Sequence, residues 1–237
     1  MINPPLISVI IPAWNEEKLL PDCLESLKNQ TLPKEKFEVV VVDNNSTDKT
    51  REIAESYGSR IIGCQVQGVA AARSAGSEAA YGEIIAGTDA DTQVAPEWLE
   101  KIAVHFEEDP DLLGLTGPTY FKDANFFSKN LSFFAFDVFQ RLNFAIRKPT
   151  FSGFNYAVRV DAYREIGGIN PELESAEDID LSFRLAKKGK VEYVSDVVVY
   201  TSARRIKKEP FGFFRHNIKN YFLMLTGKEP EPFKPIR

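Results

Sequence analysis

The 237-residue sequence predicts an α/β fold, a mostly parallel sheet flanked by helices with further helices toward the C-terminus. Three observations predict it. Four short β-branched runs are each followed by a segment of helical periodicity. Polar residues gather directly after three of those runs. The composition, 43% hydrophobic and 27% charged, is that of a globular chain and excludes a disordered or fibrous one. Alternating strands and helices build a parallel sheet, and ligands of such sheets bind in the crevice at the carboxyl ends of the strands.

The first strand reads as Leu6 to Ile11, followed by a helix over Glu16 to Gln30 in which Leu20, Cys23, Leu24 and Leu27 share a face. Phe37 to Val42 with Asp48 to Tyr57, Arg60 to Gly63 with Gly68 to Ala80, and Glu83 to Thr88 with Pro96 to Phe106 repeat the unit. Asp48 reads as a helix cap and Asn44, Asn45 and Ser46 as a turn. No repeat, low-complexity stretch or Gly/Ser linker interrupts the chain, so residues 1–237 are read as one domain.

Only Cys23 and Cys64 occur, both in apolar surroundings, so a disulfide framework or cysteine-based zinc site is not expected and a reducing compartment fits. Met1 to Pro5 lacks a basic start and a long apolar stretch, and no uncharged apolar run approaches the roughly 18 residues of a spanning helix. A cytoplasmic protein is expected. The formal net charge is −5, yet Ala203 to Arg237 holds nine Lys/Arg against three Asp/Glu, which leaves −11 on the rest. An acidic body excludes nucleic acid as the main partner, because phosphate binding needs a basic face. The basic tail points to an anionic neighbour.

Asp43 follows a run expected to be buried, where an unpaired carboxylate is costly, so it is read as accepting a hydrogen bond from a ligand. Asp89, Ala90 and Asp91 are read as extended, which would put both carboxylates on one side, able to share a divalent cation that also holds a diphosphate. Two acids at this spacing also commonly solvate a loop.

Taken together, Val9 to Glu16, Val41 to Thr50, Gly68 to Gly76, Gly82 to Asp91 and Glu177 to Leu185 resemble family 2 of the glycosyltransferases over about residues 6–205. The resemblance implies the GT-A (Rossmann-like) fold, a nucleotide-diphosphate sugar donor, Mg2+ or Mn2+, and inversion at the anomeric carbon. It implies that Pro12, Ala13, Asn15 and Glu16 line the nucleotide pocket and that Asp43 binds the base. Arg73 would lie near base or phosphate, and Asp89, Ala90 and Asp91 match the metal motif. The chain departs from the family pattern in having Gln67, where many members have Asn, before Gly68. Residues 1–118 are then the nucleotide-sugar half, 119–205 the acceptor half, and 206–237 a basic aromatic extension. A UDP-sugar is expected before a GDP-sugar.

Gly153 to Arg159 resembles the family segment that precedes an acceptor-site helix, and Ala176 to Gly189 reads as that helix, with acids in its first turn and Ile179, Phe183 and Ala186 behind. Acids there also complement the helix dipole. With the resemblance, Asp178 is the expected base, while Glu177 either raises the proton affinity of Asp178 or itself binds the acceptor. A single in-line displacement needs only one base, and no motif offers the carboxylate nucleophile of a double displacement.

Arg204 and Arg205 stand where a loop would close on the diphosphate, or form a solvated pair. Phe127, Leu131, Phe134, Val138 and Leu142 make a helical stripe read as core. Phe126, Phe133, Phe136 and Phe144 fall off it, toward a partner, a membrane surface or a lipid acceptor. Phe211, Phe214, Ile218, Phe222 and Leu225 make a second stripe among basic residues, expected to pack on the domain rather than lie on anionic lipid. The expected acceptor is a glycan or lipid-linked molecule, with peripheral contact at the inner face of the membrane. A nucleotidyltransferase would need a Gly-rich, basic loop where Pro12 to Glu16 stands, and a binding module without transfer activity would have no use for a base.

Overall fold

A computed structural model describes residues 4–123, 126–208 and 210–232; the side chains of residues 126–135, 205, 210, 211, 213 and 214 are outside the described set. Four strands, β1 (Ile7–Ala13), β2 (Phe37–Asp43), β3 (Arg60–Gly63) and β4 (Ile84–Gly87), lie parallel in the order β3-β2-β1-β4. Their helices are α1 (Leu20–Lys28), α2 (Thr50–Ser56), α3 (Val69–Glu78) and α4 (Trp98–Glu108). All four βα units expected from the periodicity are present.

The central strand is a near-continuous apolar run because both of its faces are covered. Ile7, Val9 and Ile11 point into one core with Leu20, Leu24, Leu27, Trp98 and Ile102. Ile10 points into the other with Val40, Val42, Ala70 and Ala72 of α3. Gly76 lets α3 close on the sheet, since a Cβ there would stand 2.6 Å from Ile10 Cγ2 and Val42 Cγ2. Cys23 is buried, Cys64 is half-buried, and both are free thiols.

Beyond α4 the topology departs from simple alternation. After β5 (Thr92–Val94), β6 (Leu112–Thr116) and β7 (Thr119–Phe121) comes the long helix α5 (Phe126–Ala145). Then β8 (Tyr156–Arg159) inserts between β4 and β6, antiparallel to both, followed by α6 (Val160–Glu165), α7 (Glu177–Lys188) and β9 (Lys190–Tyr193), which pairs parallel with β6. Strand β10 (Val199–Thr201) joins β5 and β7 in a second, three-stranded sheet, and α8 (Arg204–Lys208) and α9 (Pro210–Leu225) finish the described chain. Strands from both halves therefore share the seven-stranded sheet.

The face of α5 differs from the expected stripe. Leu142, read as core, is 60% exposed, whereas Gln140 and Asn143 are buried and Phe136 and Phe144, read as off the stripe, pack against Phe154 and Tyr193. Phe126, Phe127, Leu131, Phe133 and Phe134 lie outside the described side chains. In α9 the helix docks through Asn220 and Tyr221, whose hydroxyl donates to Asn143 Oδ1 at 2.7 Å, and leaves Ile218 48% and Phe222 59% exposed. The expected docking occurs, but through a polar-aromatic face; Phe211 and Phe214 lie outside the described side chains. In both helices the inward face carries amides that bond other segments through Gln140 Nε2, Asn143 Oδ1 and Asn220 Nδ2, while Gln140 Oε1 and Asn143 Nδ2 have no partner among the described residues; hydrophobic periodicity does not encode this choice of face.

Candidate active site

The loop after β1 is held open by a lattice of side chain to backbone bonds. Asn15 takes the left-handed conformation at φ +54°, which its short polar side chain tolerates. Its Oδ1 accepts the Thr47 N–H at 2.7 Å, and its own N–H donates to Ser46 Oγ at 3.1 Å. Thr50 Oγ1 accepts the Glu16 N–H at 2.8 Å, and Asp48 accepts the Glu17 N–H at 3.1 Å and the Thr50 N–H at 3.0 Å at the first turn of α2. Helix α1 consequently starts at Leu20, four residues later than the periodicity suggested. Asp43 accepts the Ser46 N–H at 3.0 Å, so one of its oxygens shapes this turn.

Asn44, read as an ordinary turn residue, is buried and clamps the loop before α3. It donates to the Cys64 and Val66 carbonyls at 2.8 and 2.7 Å and accepts the Gly68 N–H at 2.8 Å. The available signal was its position directly after the Val39 to Asp43 run, where a polar side chain must be satisfied. Gln67 donates to the same Asn44 Oδ1 at 3.2 Å.

Asp89 to Asp91 is not extended. A turn separates β4 from β5, with the Thr92 N–H donating to the Asp89 carbonyl at 3.0 Å, and the two carboxylates take different cations. Asp89 Oδ1 accepts Arg73 Nη2 at 2.5 Å. Asp91 is buried and pairs with Arg204 Nε at 2.9 Å. Arg204 also grips Glu16 with two nitrogens, one of them at 3.0 Å. It belongs to α8 rather than a loop, and the Arg205 side chain lies outside the described set. Burial, then the neighbouring Asp89 charge, push the Asp91 carboxyl up to about 6, with Arg204 acting against them.

On the other side of Arg73 lies α7, entered through Ala176 in the left-handed conformation at φ +57°. Leu181, Ser182 and Leu185 are its buried residues beside Glu177, a phase shifted from the expected Ile179, Phe183 and Ala186. Glu177 is buried and ion-paired with Arg73 Nη1. Asp178 Oδ2 accepts the Gly153 N–H at 2.6 Å and Oδ1 the Ile179 N–H at 2.9 Å. Burial, then the Glu177 charge, push the Asp178 carboxyl up to about 7, against Arg73 and the two N–H donors. Burial alone would lower the Arg73 pKa, but Asp89 and Glu177 outweigh it and hold the guanidinium charged.

Two cavities meet here. A cleft of about 640 Å³ is lined by Pro12, Ala13, Asn15, Glu16, Asn44, Gly68, Ala90 and Arg204. A second cavity of about 360 Å³, mainly apolar, is lined by Phe136, Phe139, Phe151, Phe154, Arg73, Asp91, Glu177 and Asp178. Asp89, Val69 and Glu174 line both. Glu174, Phe139, Phe151 and Phe154 were not singled out as site residues in the sequence; Phe136, read as falling off the α5 stripe toward a partner, a membrane surface or a lipid acceptor, does line the second cavity. Among the described residues no three His, Cys, Asp or Glu cluster to hold a metal unaided.

The family model for Glycosyl transferase family 2 matches residues 8–167. Glycosyltransferase AglE of Haloferax volcanii is 32% identical over 216 residues, 88% of this chain and 69% of AglE. The chain covers less of other curated relatives, for example 36% of the putative glycosyltransferase EpsH of Bacillus subtilis, at 33% identity over 51% of this chain. Among solved structures, TarS 1-349 of S. aureus in complex with UDP-GlcNAc superposes with a TM-score of 0.70 at 25% identity, over 92% of this chain and 66% of that one. The mannosyltransferase PcManGT from Pyrobaculum calidifontis, in complex with GDP-Man and Mn2+, gives 0.71 at 24% identity, over 99% and 68%, and shares the fold. With a mostly parallel sheet, a cleft at its carboxyl ends and a family match across most of its length, the chain belongs to glycosyl transferase family 2 and has the GT-A fold.

Proposed function

We propose that this chain transfers a hexosyl group, with inversion, from a nucleotide-diphosphate sugar to the hydroxyl of a glycan or lipid-linked acceptor. The observation that carries this is the pairing of two cavities on Asp89, with a proton-accepting carboxyl, Asp178, in only one of them. The larger cleft, bounded by Pro12, Ala13, Asn15, Glu16 and Ala90, takes the donor, and Asp43 at the neighbouring strand end takes the base. The aromatic cavity takes the acceptor. There Asp178 removes the proton as the hydroxyl oxygen attacks the anomeric carbon from the face opposite the departing diphosphate. A carboxyl poised near 7 combines a useful ionised fraction with enough basicity to do this.

The residues fit a divalent cation. Glu16 and Asp91 both bond Arg204, and the charge of Asp89 bears on the same guanidinium, so this corner already favours positive charge. Mg2+ or Mn2+ needs only one or two carboxylates when phosphate oxygens supply other ligands. Asp89 and Asp91 would hold it, and it would neutralise charge developing on the leaving diphosphate. Arg204 would then bond the diphosphate, with Arg205 beside it in sequence. UDP-sugars are proposed before GDP-sugars on the family's general habit; the solved structures include one with UDP-GlcNAc and one with GDP-Man and do not choose between them.

No helix among the described residues is long and apolar enough to cross a membrane. Exposed Leu142, Ile146, Ile218 and Phe222, accompanied by exposed Arg147, Lys148 and Lys219, support peripheral contact with an anionic membrane surface.

The test is calorimetry with UDP- and GDP-sugars with and without Mn2+. Donor binding should depend on the metal in wild type and Asp178→Asn but lose that dependence in the Asp89→Ala, Asp91→Ala double variant. Transfer should fall about 10²- to 10⁴-fold in Asp178→Asn. Unchanged turnover in Asp178→Asn would remove the base assignment.

A further inference from the structure

We infer that Arg73 is a positioning residue that couples the two halves of the site, tying donor-side Asp89 to the acceptor-side segment that presents Asp178. The inference rests on the reading of Asp178 as the base. It departs from the place near base or phosphate that the resemblance implied for Arg73.

Four observations support it. The guanidinium is buried between two carboxylates from distant parts of the chain, Asp89 at 2.5 Å and Glu177 beside the base. Its Nε has no partner among the described residues, so these two pairs hold the group. It does not line the donor cleft but does line the acceptor cavity. It also lies so close to Gly153 that any Cβ at that position would overlap it, and the Gly153 N–H donates to Asp178 Oδ2 at 2.6 Å. One cation thus fixes Glu177 directly and backs the peptide that orients the base.

A chemical consequence follows. Glu177 and Asp178 are adjacent acids, and a proton-accepting role for one requires the charge of the other to be compensated. Arg73 neutralises Glu177, engaging it inward, which favours Asp178 as the group that takes the proton and Glu177 as its support. The charged or titratable groups bearing on Asp178 are Glu177 from its own helix, Arg73 from α3 and Tyr156 from β8.

The experiment compares Arg73→Lys, Arg73→Met and the Arg73→Met, Glu177→Gln double variant, measuring UDP-sugar Kd with Mn2+, acceptor KM, kcat and its pH profile. Arg73→Lys should keep donor Kd and acceptor KM within about threefold and lower kcat at least tenfold, as misplacement of a catalytic group does. Arg73→Met should move the acid limb of kcat to higher pH, because Glu177 is left uncompensated, and adding Glu177→Gln should return the limb toward wild type. Folded Arg73→Met with an unchanged limb and kcat overturns the proposal, as does a loss explained entirely by weaker donor binding. If Arg73→Met does not fold, the kcat against KM split in Arg73→Lys decides. Turnover persisting in Asp178→Asn would instead sink the base assignment beneath it, a failure read from a different variant.

Discussion

Arg204 Nε stands 2.9 Å from Asp91 Oδ2 while the other nitrogens of the same guanidinium hold Glu16, 188 residues away in sequence. Asp91 is almost fully buried and Arg204 about one-third exposed, so the pair joins the Asp89 to Asp91 turn, on the side of the aromatic cavity, to the loop after β1 in the larger cleft, which Glu16 and Arg204 line. Under the proposed function, a cation with one open side at the edge of the cleft that would take the nucleotide is suited to exchange a carboxylate for a diphosphate.

Arg204→Ala should therefore weaken UDP binding about ten- to a hundredfold, the range of one lost charge-assisted hydrogen bond, and leave uridine binding unchanged. Calorimetry with both ligands checks this. An equal loss for uridine would place Arg204 away from the phosphates.

Asp178 ties stability to pH in a direction that can be worked out. Its folded pKa, about 7, lies above the ordinary 3.8, so the folded protein holds this proton more tightly than the unfolded chain. Stability from this group is fully present below the ordinary value and is lost as pH rises through about 7. Asp178→Asn removes the buried charge, so its melting temperature should gain on wild type between pH 5 and pH 8. A gain of 2 °C or more corresponds to about 1 kcal/mol in a protein of this size. A gap independent of pH would show that the carboxyl is ionised throughout the range. In parallel, wild-type kcat should rise with pH through about 7.

The exposed apolar residues of α9 make membrane contact measurable. Wild type should sediment with vesicles containing anionic phosphatidylglycerol at low ionic strength and be released as salt screens the basic residues. Ile218→Asp with Phe222→Asp should abolish sedimentation, since both side chains are already about half exposed and their replacement costs little folding stability. Binding only to neutral vesicles, or none at all, would count against this surface.

Much of the donor side was legible in the sequence for a local reason. A strand buried on both faces must be a continuous apolar run, its helix must show a 3.6 period, and the polar residues that end the strand must face the crevice. Val9 to Glu16, Val39 to Asp43 and Ile84 to Asp91 meet those conditions within a few residues each, so four βα units and the neighbourhood of Asp89, Asp91 and Glu16 could be placed from their order alone. Only the tertiary structure decided what depends on distance along the chain. Strands β5, β7 and β10 have three residues each, too few to show a period, and they exist because β10 pairs with β5 across more than a hundred residues and with β7 across 80. The turn at Asp89 to Asp91 stands between β4 in the main sheet and β5 in the second one, a partition that no local pattern encodes. The inward faces of α5 and α9 were set by Gln140, Asn143 and Asn220, amides whose partners lie on other elements. The partners of Arg73 and Arg204 were likewise undetermined by sequence, since Arg73 meets Glu177 across 104 residues and Arg204 meets Glu16 across 188. Which carboxylate compensates a buried cation is settled by packing and desolvation, and those exist only once the chain has closed on itself.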